Sequence, residues 1–120
     1  MTPFRLPFPK GRAGRPVRGS MNGTEARYAK HLDRRKLLGE IAWYWFEEMK
    51  FRLADKTWYC PDFMVMHADG MLELHEVKGW MMDDAAVKLK VASALYWSFP
   101  VYVIREKPVG VFTLRRIGSE

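Results

Sequence analysis

Two runs of alternating residues flank Ala68-Asp69-Gly70, and their spacing constrains the fold more than any other stretch of the chain. The first runs from about Trp58 to His67 and the second from Met71 to Val77 or Lys78. Periodicity of two on both sides of a three-residue loop that ends in a left-handed glycine predicts a β-hairpin. With that loop His67 faces Met71, and counting outward along both strands sets Asp62 opposite Glu76. A two-residue turn would slip the register by one and carry Asp62 to the other face.

In the second run Leu72, Leu74, Glu76 and Lys78 share one face, and Glu73, His75 and Val77 the other. An acid and a base thus lie beside two apolar residues, and charges withdrawn from water at a strand end need compensation. Opposed Cβ atoms lie roughly 4.5 to 5.5 Å apart, so the carboxylates of Asp62 and Glu76 repel unless a cation sits between them. Oxygen-only ligation suits Mg2+, with Mn2+ as a substitute. Lys78, two positions along from Glu76, is placed to orient an attacking water or to stabilise charge on a phosphoryl transition state. A metal held by two carboxylates, with a lysine beside it, is what phosphodiester hydrolysis needs. The competing reading of the three residues is a buried structural ion pair or a solvated strand end.

The remaining chain supplies a mixed α/β order. Asn22 followed by Glu25 resembles a capping box and opens a predicted helix over about 23–38, with Glu25, Ala29, Leu32 and Lys36 on one stripe and Gly39 as terminator. From Ile41 to Leu53, Trp43, Trp45, Met49, Phe51 and Leu53 recur at period two, which predicts one strand bent near Glu47. Asp83 or Asp84 caps a second helix over about 84–97, and Pro100 stops it. Val101–Ile104 and Val111–Leu114 are the last two strands, joined by Pro108-Val109-Gly110.

Charge divides the chain at about residue 20. The net charge is +6, yet residues 1–20 hold Arg5, Lys10, Arg12, Arg15 and Arg18 and no acid, leaving 15 basic against 14 acidic groups in the remainder. Rich in Pro and Gly, this stretch is expected to be a flexible basic arm, either one that neutralises phosphates or a solubilising leader. Residues 21–120 form the one expected domain. No run approaches the roughly 20 apolar residues of a membrane span, and the first residues lack the apolar stretch of a signal peptide. Cys60, the only cysteine, can form no internal disulfide. A soluble protein of a reducing cytoplasm is therefore expected.

Pro61-Asp62, then 13 residues, then Glu76-Val77-Lys78 resembles the motif of the PD-(D/E)xK nuclease superfamily. The likeness covers roughly residues 22–106, and Pro61-Asp62-Phe63 with Glu76-Val77-Lys78-Gly79 is similar to small phage-encoded members of the Holliday-junction-resolvase-like kind. It implies an αβββαβ restriction-endonuclease-like core with a mixed central sheet, here carrying an extra C-terminal strand. It also implies that Asp62, Glu76 and the Val77 backbone carbonyl hold Mg2+, that Lys78 assists the water, and that Glu25 matches an acid that many members carry on the preceding helix. The capping box explains Glu25 equally well. Lys88 and Lys90 fall where the following helix often contributes a polar residue, and are otherwise a solvated face.

The expected function is Mg2+-dependent endonucleolytic cleavage of DNA, on branched or structured substrates in phage replication or recombination. A homodimer would suit cutting of two strands, and for a phage protein the location is the host cytoplasm. No membrane and no small-molecule cofactor is expected. The alternatives are a non-catalytic DNA-binding protein on a nuclease scaffold and a nuclease acting on RNA. Zinc is disfavoured because His67, His75 and Cys60 do not converge in this register and no Cys-x-x-Cys exists. The aromatic residues in 43–46 and 96–97 are expected in the core rather than stacked on bases.

Overall fold

The computed structural model describes residues 20–77 and 83–118. The elements run α1 (Gly23–Leu37), β1 (Ile41–Phe46), β2 (Phe51–Ala54), β3 (Thr57–Tyr59), β4 (Phe63–His67), β5 (Leu72–Val77), α2 (Asp83–Leu95), β6 (Val101–Glu106) and β7 (Phe112–Ile117). A mixed five-stranded sheet has the order β1-β4-β5-β6-β7, and β2 and β3 form a separate antiparallel pair. All neighbours in the large sheet are antiparallel except β5 and β6. A parallel pair needs a crossover, and α2 lies on that connection.

The hairpin has the register predicted from the three-residue loop. Phe63 pairs with His75 and Met66 with Leu72, while His67 N–H donates to Met71 O at 2.8 Å and Gly70 N–H to His67 O at 2.9 Å. Gly70 has φ +94°, which a side chain would strain, and Asp69 Oδ1 accepts from Met71 N–H at 2.9 Å.

Strand parity sends side chains to two cores, one on each face of the sheet. Tyr28, Ala29 and Leu32 of α1 pack on Ile41, Phe63, Val65, Val77 and Ile104. Leu89 and Ala92 of α2, together with Phe51 and Tyr59 of the small sheet, pack on Trp45, Met64, Leu74, Val101 and Val103. The buried stripe of α1 is Glu25, Tyr28, Ala29 and Leu32, so the predicted stripe holds through Leu32. Lys36 instead lies over Trp43, its ammonium 3.8 Å from the ring centroid.

Two predicted strands are each divided. The expected strand 41–53 becomes β1 and β2, because Glu47 turns the chain with φ 50°, in the left-handed region. The expected strand 58–67 becomes β3 and β4, broken at Cys60-Pro61-Asp62, where Pro61 has no N–H to give a ladder. Met49, Phe51 and Leu53 still reach the core they were expected to share with Trp45. A bulge between Ile41 and Trp43 flips the start of β1, so Ile41 joins Tyr44 and Phe46 on the α1 side while Trp45 faces α2. Trp43, on this edge strand, stays half exposed and Trp97, beyond α2, is 77% exposed, so neither is the core residue expected from the sequence.

Candidate functional site

Asp62 is held by its neighbours on two strands. Its backbone oxygen accepts from Glu47 N–H at 3.0 Å, which adds a rung beyond the Phe46–Phe63 pair. Its side-chain Oδ2 accepts from the buried Val77 N–H at 2.8 Å, at the end of β5. The carboxyl group is thereby fixed in a buried position by the two strands on either side.

Glu25 reaches the same place from the first turn of α1. Its Oε1 accepts from Asn22 N–H at 3.0 Å and its own N–H donates to Asn22 Oδ1 at 2.8 Å, a complete capping box. One carboxylate oxygen from each of Glu25, Glu47 and Asp62 lies within 4.8 Å of the other two. Glu25 and Asp62 are buried and Glu47 is partly buried. Glu25 thus caps α1 and also lies in the acidic group.

The donor set fits a hard divalent cation. It is all oxygen and all anionic, and an octahedral shell at about 2.1 Å places adjacent oxygens about 3 Å apart and opposite ones about 4.2 Å apart. The three oxygens, all within 4.8 Å of one another, could be ligands of one such ion.

Glu76 follows the register to the position opposite Asp62 but is not part of the three-acid group. It is buried, and its Oε1 accepts from Tyr59 OH at 3.0 Å. Burial pushes the Tyr59 ionisation far up, with the charge of Glu76, its hydrogen bond and the charge of Asp62 adding to the shift. Val77 stands in the site through its N–H. Lys88 and Lys90 are exposed on α2, with buried Leu89 between them. Lys78, Arg12, Arg15 and Arg18 lie outside the described residues.

A second polar network lies on the α1 side of the sheet. Fully buried His75 has its Nε2 2.9 Å from Glu73 Oε1 and its Nδ1 2.7 Å from Tyr28 OH. A carboxylate only accepts, so Nε2 carries the proton and Tyr28 OH donates to Nδ1 of a neutral ring. Burial lowers the His75 pKa; Glu73 opposes that shift, whereas Arg35 and His67 add to it. Burial alone would raise the Glu73 pKa, but its contacts with His75 and His67 outweigh it and the net shift is downward. His67 Nε2 is 2.8 Å from Glu73 Oε2, near enough for an ion pair but off the hydrogen-bonding direction. The two histidines thus meet through Glu73, a contact the sequence reading did not anticipate; they belong to no group of metal-ligand spacing among the described residues.

Glu47 was missed by sequence reasoning. Its signal was there: Glu47-Glu48 interrupts a run of large apolar residues at the point where the strand bends. No protein-family profile, curated protein or solved structure matches the chain.

Proposed function

We propose that this chain is a metal-dependent nuclease that hydrolyses DNA phosphodiester bonds, acting as an endonuclease on branched or structured DNA. The observation that carries the reading is the convergence of buried Asp62 with Glu25 and Glu47, beside the β5 segment that bears Glu76. Carboxylates drawn from three parts of the chain to within 4.8 Å of one another repel, and a divalent cation between them would offset that repulsion. Supporting the PD-(D/E)xK reading is the order of elements: with the small β2–β3 pair set aside, helix, three strands, helix and strand follow one another, and β7 extends the sheet.

In this reading Asp62, Glu25 and Glu47 hold Mg2+ or Mn2+, and Glu76 stands beside them. The bound ion would neutralise phosphate charge and supply nucleophilic water near neutral pH. Hydrolysis forms a bond from the water oxygen to phosphorus and breaks the bond to a sugar oxygen, which leaves with a proton. Lys78 follows β5 directly in sequence; its role in orienting water or countering charge rests on strand alternation alone. Lys88, Lys90 and the basic residues Arg12, Arg15 and Arg18 would contact phosphates. So small a core favours backbone and shape recognition over base readout. Two active sites in a homodimer would cut two strands.

The test is Mn2+- and Mg2+-dependent cleavage of linear, branched and single-stranded DNA and of RNA by the wild type and Asp62→Asn. Cleavage of DNA that is lost in the variant supports the proposal. Cleavage that persists in the variant overturns the site, and binding without cleavage in either metal favours a non-catalytic DNA-binding protein. Preference for RNA would change the substrate but not the site.

A further inference from the structure

Tyr59 comes from β3, outside the large sheet, yet its hydroxyl meets an acid at the end of that sheet. The small β2–β3 pair is fixed on its other side: Tyr96 OH donates to Arg52 O at 2.6 Å, and Phe51 packs against Tyr96 and Phe99 with ring centroids 5.0 and 6.0 Å away. Tyr59 is 5% exposed among Met64, Leu74 and Leu89, so its ring has little freedom to carry the hydroxyl elsewhere. Glu76, also buried, accepts at 3.0 Å from that hydroxyl.

The choice of donor matters chemically. A lysine or arginine at this position would orient Glu76 but also cancel its charge. A tyrosine hydroxyl orients the carboxylate through one oxygen and brings no positive charge of its own. We infer that Tyr59 is a positioning residue for Glu76, and that the small β2–β3 sheet serves to deliver it, so that the Glu76 carboxylate is held in one orientation on β5, beside the acids of the proposed metal site. The inference rests on the nuclease reading above.

The experiment compares Tyr59→Phe with Tyr96→Phe in Mn2+-dependent cleavage of DNA, recording kcat, KM for DNA and the Mn2+ concentration at half-maximal rate. Both variants keep ring volume and lose one hydrogen bond, and their folds are checked by thermal unfolding. Loss of a group that orients a metal-site ligand typically weakens metal affinity or rate tenfold or more, so Tyr59→Phe is expected to raise the Mn2+ midpoint or lower kcat by about tenfold with KM for DNA unchanged. Tyr96→Phe, which keeps the Tyr59 hydroxyl and the ring packing on Phe51, is expected to lower thermal stability and to shift the Mn2+ midpoint less than Tyr59→Phe. In a Glu76→Gln background Tyr59→Phe is expected to add no further effect on the metal dependence. Equal Mn2+ midpoints and kcat for wild type and Tyr59→Phe overturn the inference, as does an equal shift in Tyr96→Phe or an undiminished effect in the Glu76→Gln background. Absence of any metal-dependent cleavage by the wild type overturns the nuclease reading itself, and is thereby distinct from failure of the role of Tyr59.

Discussion

Replacing Asp62 by alanine removes more than a charge. Its Oδ2 is the acceptor for Val77 N–H at 2.8 Å, and Val77 is 5% exposed, so the truncated site leaves a buried backbone donor without that partner. Such a loss costs about 1–3 kcal/mol. Asparagine keeps an oxygen in the same place and the bond survives. Both substitutions also remove one of three carboxylates that lie within 4.8 Å of one another. At that separation the repulsion of a pair ranges from about 1 kcal/mol in water to about 3.5 kcal/mol at an effective dielectric near 20, so its relief can mask the lost hydrogen bond when either variant is compared with wild type. The difference between the two variants cancels that relief and reports the hydrogen bonding of the side-chain oxygen, the Val77 bond included. Urea unfolding in EDTA, followed by tryptophan fluorescence, should place Asp62→Ala about 1–3 kcal/mol below Asp62→Asn, which corresponds to roughly 5–20 °C in Tm for a domain of this size. Coincident unfolding curves for the two variants would refute the claim that Asp62 anchors β5. Both should lack cleavage, and only the asparagine variant reports on chemistry free of a folding defect.

Other consequences follow from the same geometry. His75 is held neutral with its pKa below the ordinary value near 6.5, so the unfolded chain takes up a proton that the folded chain refuses. Stability is thus complete above about pH 6.5 and falls as the pH drops below it; partly buried His31, lowered by burial and by Arg35, adds to the same trend. Urea midpoints measured between about pH 8 and about pH 5 should fall for wild type and fall less for His75→Gln, and a flat wild-type profile would contradict the buried neutral ring. Glu47 has φ 50°, where asparagine is tolerated better than glutamate, so Glu47→Asn should unfold at least as late as wild type in EDTA yet bind Mn2+ more weakly. Unchanged Mn2+ affinity by titration calorimetry would remove Glu47 from the site.

What could be read in the sequence was local or paired. Alternation plus the Ala68-Asp69-Gly70 loop set the hairpin register, because a slip of one residue would have turned Leu72 and Leu74 out of the core. The capping box of α1 could be read for the same reason, since Asn22 and Glu25 are three residues apart. What escaped depends on chain reversals without a turn signature. A left-handed glutamate at 47 has no marker comparable to glycine, so the sequence shows a bend near Glu47 but neither the full β1–β2 break nor the approach of Glu47 to Asp62. Pro61 was seen as part of a motif rather than as the residue that parts β3 from β4 and frees Tyr59 to reach Glu76. The meeting of His67 and His75 at Glu73 is similar: facing positions were counted, whereas a carboxylate on the intervening position bridges them.

The most direct test of the proposed site is a crystal structure grown with Mn2+ and collected at a wavelength where manganese scatters anomalously. The account predicts an anomalous peak bonded to Asp62 Oδ with oxygens of Glu25 and Glu47 at about 2.1–2.3 Å. A structure with no peak at Asp62 at saturating Mn2+, or with manganese bound only elsewhere, would contradict it.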